Sequence, residues 1–69
     1  MEKTIIKVEG MSCEHCVKAV TNAVNSVTGI GSVSVDLDAK TVTVEYDAAK
    51  TSLESIKTEI EDQGYDVIG

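Results

Sequence analysis

The chain has 69 residues, with 12 acidic side chains and 6 basic ones, and its formal net charge is -6 at pH 7. A chain of this length predicts a single domain over residues 1–69, since chains usually divide only well above about 100–150 residues. The charge argues against nucleic-acid binding, which needs clustered Lys and Arg. No run approaches the roughly 20 apolar residues of a membrane span, and an acidic surface gains nothing at an anionic membrane.

The first ten residues indicate in which cellular compartment we expect the protein. They carry charged side chains where a secretory signal would need a continuous apolar segment. If Met1 is the true start, we expect a cytoplasmic protein. In that reducing environment the two cysteines would be thiols rather than a structural disulfide.

The first half of the chain predicts a strand followed by a helix. Residues 4–8 form a short β-branched run that ends at Gly10, which is typical of a strand. Valines then recur at helical spacing, at Val17, Val20, Val24 and Val27. This stripe predicts a helix over residues 14–27, closed by Gly29.

The middle of the chain predicts two strands. Apolar and polar residues alternate over residues 33–37 and again over residues 42–46, as in half-buried strands. The link of residues 38–40 is short enough for a hairpin. We therefore expect these two strands to pair antiparallel.

The last third predicts a second helix and a final strand. Thr51 is followed three positions later by Glu54, which is a capping-box signature. The helix that it opens would end at Gly64, and residues 65–68 would form a short strand. The buried stripe of this helix is expected to be Leu53, Ile56 and Ile60.

The order of these elements, strand–helix–strand repeated twice, defines the expected fold class. A central hairpin combined with right-handed crossovers favours a split βαβ sandwich. This is an α+β fold (βαββαβ) in which two helices cover one face of a four-stranded antiparallel sheet. The sheet residues expected under the helices are Ile6, Val8, Val35, Leu37, Val42 and Val44. With no Trp and no Phe, the core should be aliphatic.

The segment that carries chemistry is residues 10–16, Gly-Met-Ser-Cys-Glu-His-Cys. Two residues between Cys13 and Cys16 allow both sulfurs to converge on one ion. The pair lies where a loop enters a helix, and the first-turn amides and helix dipole favour negative charge there by about 0.3–1 kcal/mol. This helps deprotonation, and thiolates are the form that binds metal.

The number of donors indicates which ion this pair suits. Two thiolates can satisfy a soft monovalent ion such as Cu(I). Structural zinc normally has four ligands, and the chain offers only two Cys and one His in total. The sequence therefore predicts one Cu(I) between Cys13 and Cys16.

The sequence allows more than one role for each of two residues next to the cysteines, Met11 and His15. Met11 is either a thioether ligand or a core residue that packs beneath the loop. His15 is a third ligand, a charge that tunes the thiols, or a solvated helix residue. In a dimer, where a second chain supplies more thiolates, its imidazole becomes a candidate ligand.

A small thiol–disulfide oxidoreductase is the alternative from another functional class. Cys13 would then be the attacking thiol of low pKa, and Cys16 the resolving one. The short chain and the absence of proline, which thioredoxin-like sites usually place beside the disulfide, argue against it. We therefore expect a binding protein and not an enzyme.

Residues 10–16 resemble the G-M-x-C-x-x-C signature of heavy-metal-associated domains, and the resemblance covers essentially the whole chain. Residues 17–20 and 61–67 are similar to those of the bacterial cytosolic copper chaperones in this family. The resemblance implies a ferredoxin-like fold. It implies that Cys13 and Cys16 are the ligands, that Met11 supports the loop and that Tyr65 lies near the metal. A plain structural role for Tyr65, closing the edge of the core, stays open.

The resemblance also implies a function. Such proteins receive Cu(I) and pass it to soluble domains of a copper-transporting P-type ATPase, and some deliver it to copper-responsive regulators. The family includes mercury-binding proteins and zinc or cadmium ATPase domains, so Hg(II), Zn(II) and Cd(II) stay open as alternatives. An excised ATPase domain is a further alternative. We expect a monomer without copper, with a copper-bridged dimer as an open question.

Overall fold

The computed structural model describes residues 1–68. Its elements are β1 (Glu2–Glu9), α1 (Glu14–Asn25), β2 (Ile30–Asp36), β3 (Thr41–Tyr46), α2 (Leu53–Asp62) and β4 (Asp66–Ile68). This confirms the predicted element order. In this described part of the chain, neither helix is long and apolar enough to cross a membrane.

The four strands form one sheet of order β2-β3-β1-β4, in which every neighbouring pair is antiparallel. The hairpin joins β2 to β3, as the short link predicts. The two helical crossovers then place β1 between β3 and β4, so that the strand leading into the cysteine segment is a central one. The α+β sandwich expected from the sequence is confirmed.

Alternation along the central strands creates the core. On β1, Ile6 and Val8 are buried while Ile5 and Lys7 are exposed. The core cluster unites these two with side chains from β3 and both helices: Val42, Val44, Val20, Val24, Ile56 and Ile60. Both helices therefore cover the same face. The core is aliphatic, and the two tyrosines are only half-buried.

Several details differ from the sequence-based expectations. Val35 and Leu37 are half-buried rather than buried, because β2 is an edge strand and Leu37 lies in the turn after it. The first helix ends at Asn25, two residues earlier than predicted. Ser26 closes it: its N–H donates to the Asn22 carbonyl at 3.1 Å, and its hydroxyl donates to the Ala23 carbonyl at 2.6 Å.

The predicted capping box at Thr51 and Glu54 is wrong by one residue. Ser52 is the N-cap of α2, and its hydroxyl oxygen accepts from the Ser55 N–H at 3.3 Å. The reason is that Thr51 belongs to the preceding turn, where its own N–H donates to the Asp47 carbonyl at 3.0 Å. The cap therefore falls on the next residue with a hydroxyl group.

Ser52→Ala should lower the free energy of unfolding by about 1 kcal/mol, the usual effect of removing an N-cap hydroxyl. Thr51→Val is the matched control, since it removes a hydroxyl while keeping a β-branched side chain, and it should change the free energy much less. Urea denaturation followed by circular dichroism measures both. If Thr51→Val lowers the free energy of unfolding more than Ser52→Ala does, Thr51 is the N-cap, as the capping-box spacing predicts.

Candidate metal-binding site

The start of α1 determines where the two cysteines lie. Cys13 is the N-cap residue and has an extended backbone, with φ -158° and ψ 175°. Its carbonyl accepts a hydrogen bond from the Cys16 N–H at 3.0 Å and another from the Val17 N–H at 3.3 Å. These bonds begin the helix and place the two cysteines one turn apart at the same helix end.

The two sulfurs lie close together, with 3.8 Å between their Sγ atoms. Both are free thiols; Cys13 is exposed, whereas Cys16 is half-buried and packs against the core. Within residues 1–68 no three or more His, Cys, Asp and Glu side chains form a metal-binding group. The cysteine pair is therefore the candidate site, and solvent reaches it from the Cys13 side.

The surroundings of Cys16 favour its thiolate. A hydrogen bond from the Tyr65 hydroxyl, helped by one from the Ser12 backbone, lowers the pKa of Cys16 to about 7 against the opposing effect of burial. The same hydrogen bond raises the pKa of Tyr65. A large fraction of Cys16 is thus deprotonated near neutral pH, which is the state that binds a soft metal.

Tyr65 reaches this position through the pairing of β1 with β4. Glu9 and Asp66 are directly opposed in this pair, so Tyr65, just before Asp66, lies beside Gly10, just after Glu9. Gly10 has φ +96°, and a Cβ atom there would lie 3.5 Å from Cδ1 of the Tyr65 ring. Glycine adopts such a φ at little cost. The sheet and this glycine together place the ring next to the cysteine loop.

The other two candidate residues, Met11 and His15, differ in burial. Met11 is 7% exposed and belongs to the core cluster, which favours packing over metal ligation as its role. His15 is exposed in the first turn of α1. Of the residues singled out from the sequence, the structure thus brings together Cys13, Cys16 and Tyr65.

One contribution to the lowered pKa of Cys16 has no recognisable pattern in the sequence. The backbone of Ser12 lowers the pKa of Cys16, although the residue is an ordinary exposed serine. The only available signal is its position just before the N-cap, because amide groups at a helix start lack intrahelical partners. The structure assigns the effect to the backbones of Ser12 and, to a smaller extent, Cys13.

Known proteins resemble this chain over nearly its whole length. The model of the heavy-metal-associated domain family matches residues 5–66. The chain is similar to the copper chaperone CopZ of Bacillus subtilis (strain 168), with 52% identity over 67 residues that cover 97% of each protein. The similarity is therefore global and includes the cysteine segment.

Solved structures of related proteins are also similar to this chain. A CopZ metallochaperone superposes with a TM-score of 0.96 and 46% identity, covering 97% of this chain and 100% of that one. The Cu(I)-loaded N-terminal domain of a potential copper-translocating P-type ATPase from Bacillus subtilis has a TM-score of 0.90 and 29% identity, covering 94% and 81%. These neighbours confirm the ferredoxin-like fold that the resemblance implies.

Replacing Tyr65 tests the hydrogen bond at Cys16. In a Cys13→Ser background, the alkylation rate of Cys16 should rise with pH around a midpoint below the ordinary pKa of a cysteine thiol. Tyr65→Phe removes the donor that stabilises the thiolate, so the pKa of Cys16 should rise and alkylation at pH 7 should slow. The iodoacetamide reaction, followed by mass spectrometry from pH 5 to pH 10, measures both.

Tyr46→Phe is the matched control for this experiment, because Tyr46 lies on β3 and pairs with Glu2 and Ile30. It should leave the pH profile of Cys16 unchanged. If Tyr65→Phe also leaves the pH profile of Cys16 alkylation unchanged, Tyr65 does not stabilise the Cys16 thiolate.

Proposed function

Because this chain belongs to the heavy-metal-associated domain family, we propose that it is a copper chaperone that holds one Cu(I) ion between Cys13 and Cys16. The observation that carries the proposal is the pair of free sulfurs 3.8 Å apart at the start of α1. Its named relatives are chaperones, and the chain is not an enzyme, as its sequence predicts.

The chemistry of the pair suits Cu(I). Soft thiolate donors favour this ion, and two of them suffice for its low coordination number. A bis-thiolate complex of Cu(I) carries net negative charge, which the helix N-terminus stabilises. Closed zinc sites normally use four ligands, and the chain contains only two Cys and one His. Similarity to a Cu(I)-loaded domain supports this choice of ion.

Transfer proceeds by ligand exchange. A thiolate of the receiving protein donates a lone pair to the ion from the exposed Cys13 side, and a three-coordinate complex forms. One cysteine of the chain then leaves, a second thiolate of the receiving protein binds, and the other cysteine leaves, each departing sulfur taking back its lone pair. Copper stays in the +1 state throughout, and no external oxidant or reductant is consumed.

The receiving protein that we propose is a soluble domain of a copper-transporting P-type ATPase. Similarity to the Cu(I)-loaded ATPase domain supports it, because two domains of like fold can offer like cysteine pairs. A copper-responsive regulator is a second candidate recipient. We place the exchange in the cytoplasm, where free thiols such as these persist.

Two alternatives have less support. A thiol–disulfide oxidoreductase could use the same pair of free thiols, but the named relatives of this chain are copper chaperones. An excised ATPase domain would carry the same site. The identity is 29% to the Cu(I)-loaded ATPase domain and 34% to a copper-binding domain of another P-type ATPase, against 52% to the chaperone.

Loss of either cysteine tests the proposal. Cys13→Ser and Cys16→Ser should each lower Cu(I) affinity by at least about a hundredfold, since changes to groups that merely support metal ligands already cost about 10–100-fold. The measurement is a titration of the reduced protein against a competing Cu(I) chelator. Wild type should bind one ion per chain, and unchanged affinity in both variants would overturn the assignment.

Met11→Leu separates packing from ligation at the neighbouring residue. A volume-conserving swap in the core usually costs less than about 1.5 kcal/mol, so the variant should fold and bind Cu(I) nearly as wild type does. Thermal unfolding and the same chelator titration measure the two properties. An intact fold with a large loss of affinity would instead make Met11 a ligand.

A further inference from the structure

The sheet has two edges of different character. β4 has three residues, Asp66–Ile68, and begins with a carboxylate. β2 has seven residues, Ile30–Asp36, and within residues 1–68 it pairs only with β3. The outer side of an edge strand presents unpaired backbone N–H and C=O groups. β2 is therefore the longer free edge.

β2 also lacks most of the features that commonly block an edge. It contains no lysine and no proline, and Asp36, its last residue, is its only charged one. A register shift between Ile30 and Ser32 disturbs only the beginning of the strand. Residues 32–36 are thus regular and nearly uncharged, which is the pattern that favours pairing with another strand.

The distribution of charge favours contact on this side of the molecule. α1 packs beside β2, and the charges of its Glu14 and Lys18 cancel. α2 instead carries an excess of acidic side chains: Glu54, Glu59, Glu61 and Asp62 against Lys57. The helix beside β2 therefore adds no net charge to this side, whereas the helix beside β4 adds to the repulsion between two copies that each carry a net charge of -6.

The sequence of β2 is complementary to itself. In an antiparallel pairing with a twofold axis at Ser34, Val33 lies opposite Val35 of the second copy. Asp36 then lies opposite Ser32 of the second copy, so no like charges face each other. Val33 and Val35 are half-buried against the core, and in this pairing the valines of both copies share the helix-covered face.

We propose that β2 is a self-association edge, along which two copies of this chain pair into one continuous antiparallel sheet. One strand from each copy makes a small contact, so the dissociation constant is on the order of 1 mM and the chain is monomeric at micromolar concentration. β3 separates β2 from β1, the strand that leads into the cysteine loop. The pairing needs neither thiol nor copper.

Sedimentation equilibrium and amide NMR spectra of metal-free protein test this pairing from about 10 µM to about 2 mM, a range that brackets such a constant. The protein carries both Cys13→Ser and Cys16→Ser, which excludes copper bridges and disulfides. The average mass should rise with concentration, with shifts concentrated in residues 30–36. Ser34→Lys should weaken association at least about tenfold, because it places two ammonium groups face to face.

Ile5→Lys is the matched control, since it adds the same charge to the exposed side of β1, a central strand. It should associate as the parent does. A constant mass at every concentration overturns the proposal. So does association that Ile5→Lys abolishes and Ser34→Lys does not, which would move the contact to the open face of the sheet.

Discussion

The hydrogen bond from the Cys16 N–H to the Cys13 carbonyl is the constraint on which the site depends. It fixes the first turn of α1 and places the two cysteines one turn apart, from where their side chains bring the sulfurs to 3.8 Å of each other. Val20 and Val24 then hold the helix against the sheet, and both are fully buried. The same packing that stabilises the domain therefore keeps the cysteine pair together, and no separate scaffold is needed.

The two sulfurs are not equivalent, and the difference suits an ion that must be handed on. Cys16 packs against the core and accepts a hydrogen bond from Tyr65, whereas Cys13 lies in solvent. Under the proposed function, one ligand keeps the ion in place while the exposed side admits an incoming thiolate. A deep pocket would exclude water better, but it would also exclude the partner.

Local patterns predicted most of the fold, because element order, the buried face of β1 and the cysteine spacing all depend on neighbours in sequence. The approach of Tyr65 to Cys16 depends instead on the pairing of Glu9 with Asp66 across the sheet, which no local pattern encodes. The shift of the α2 cap from Thr51 to Ser52 has a similar origin. The Thr51 N–H already donates to the Asp47 carbonyl in a turn, and the capping-box spacing does not reveal this competing hydrogen bond.

Met11 anchors the cysteine loop to the core, and an ordered loop affects how tightly the candidate site can hold an ion. The loop between β1 and α1 spans residues 10–13, and Met11 fixes its middle by packing among core side chains. Gly10, with φ +96°, supplies the bend that turns Met11 inward. Because both features belong to the fold itself, the loop is ordered before any ion arrives. Under the proposed function, the binding of Cu(I) then loses little conformational entropy, so more of the energy of the two metal–sulfur bonds appears as affinity.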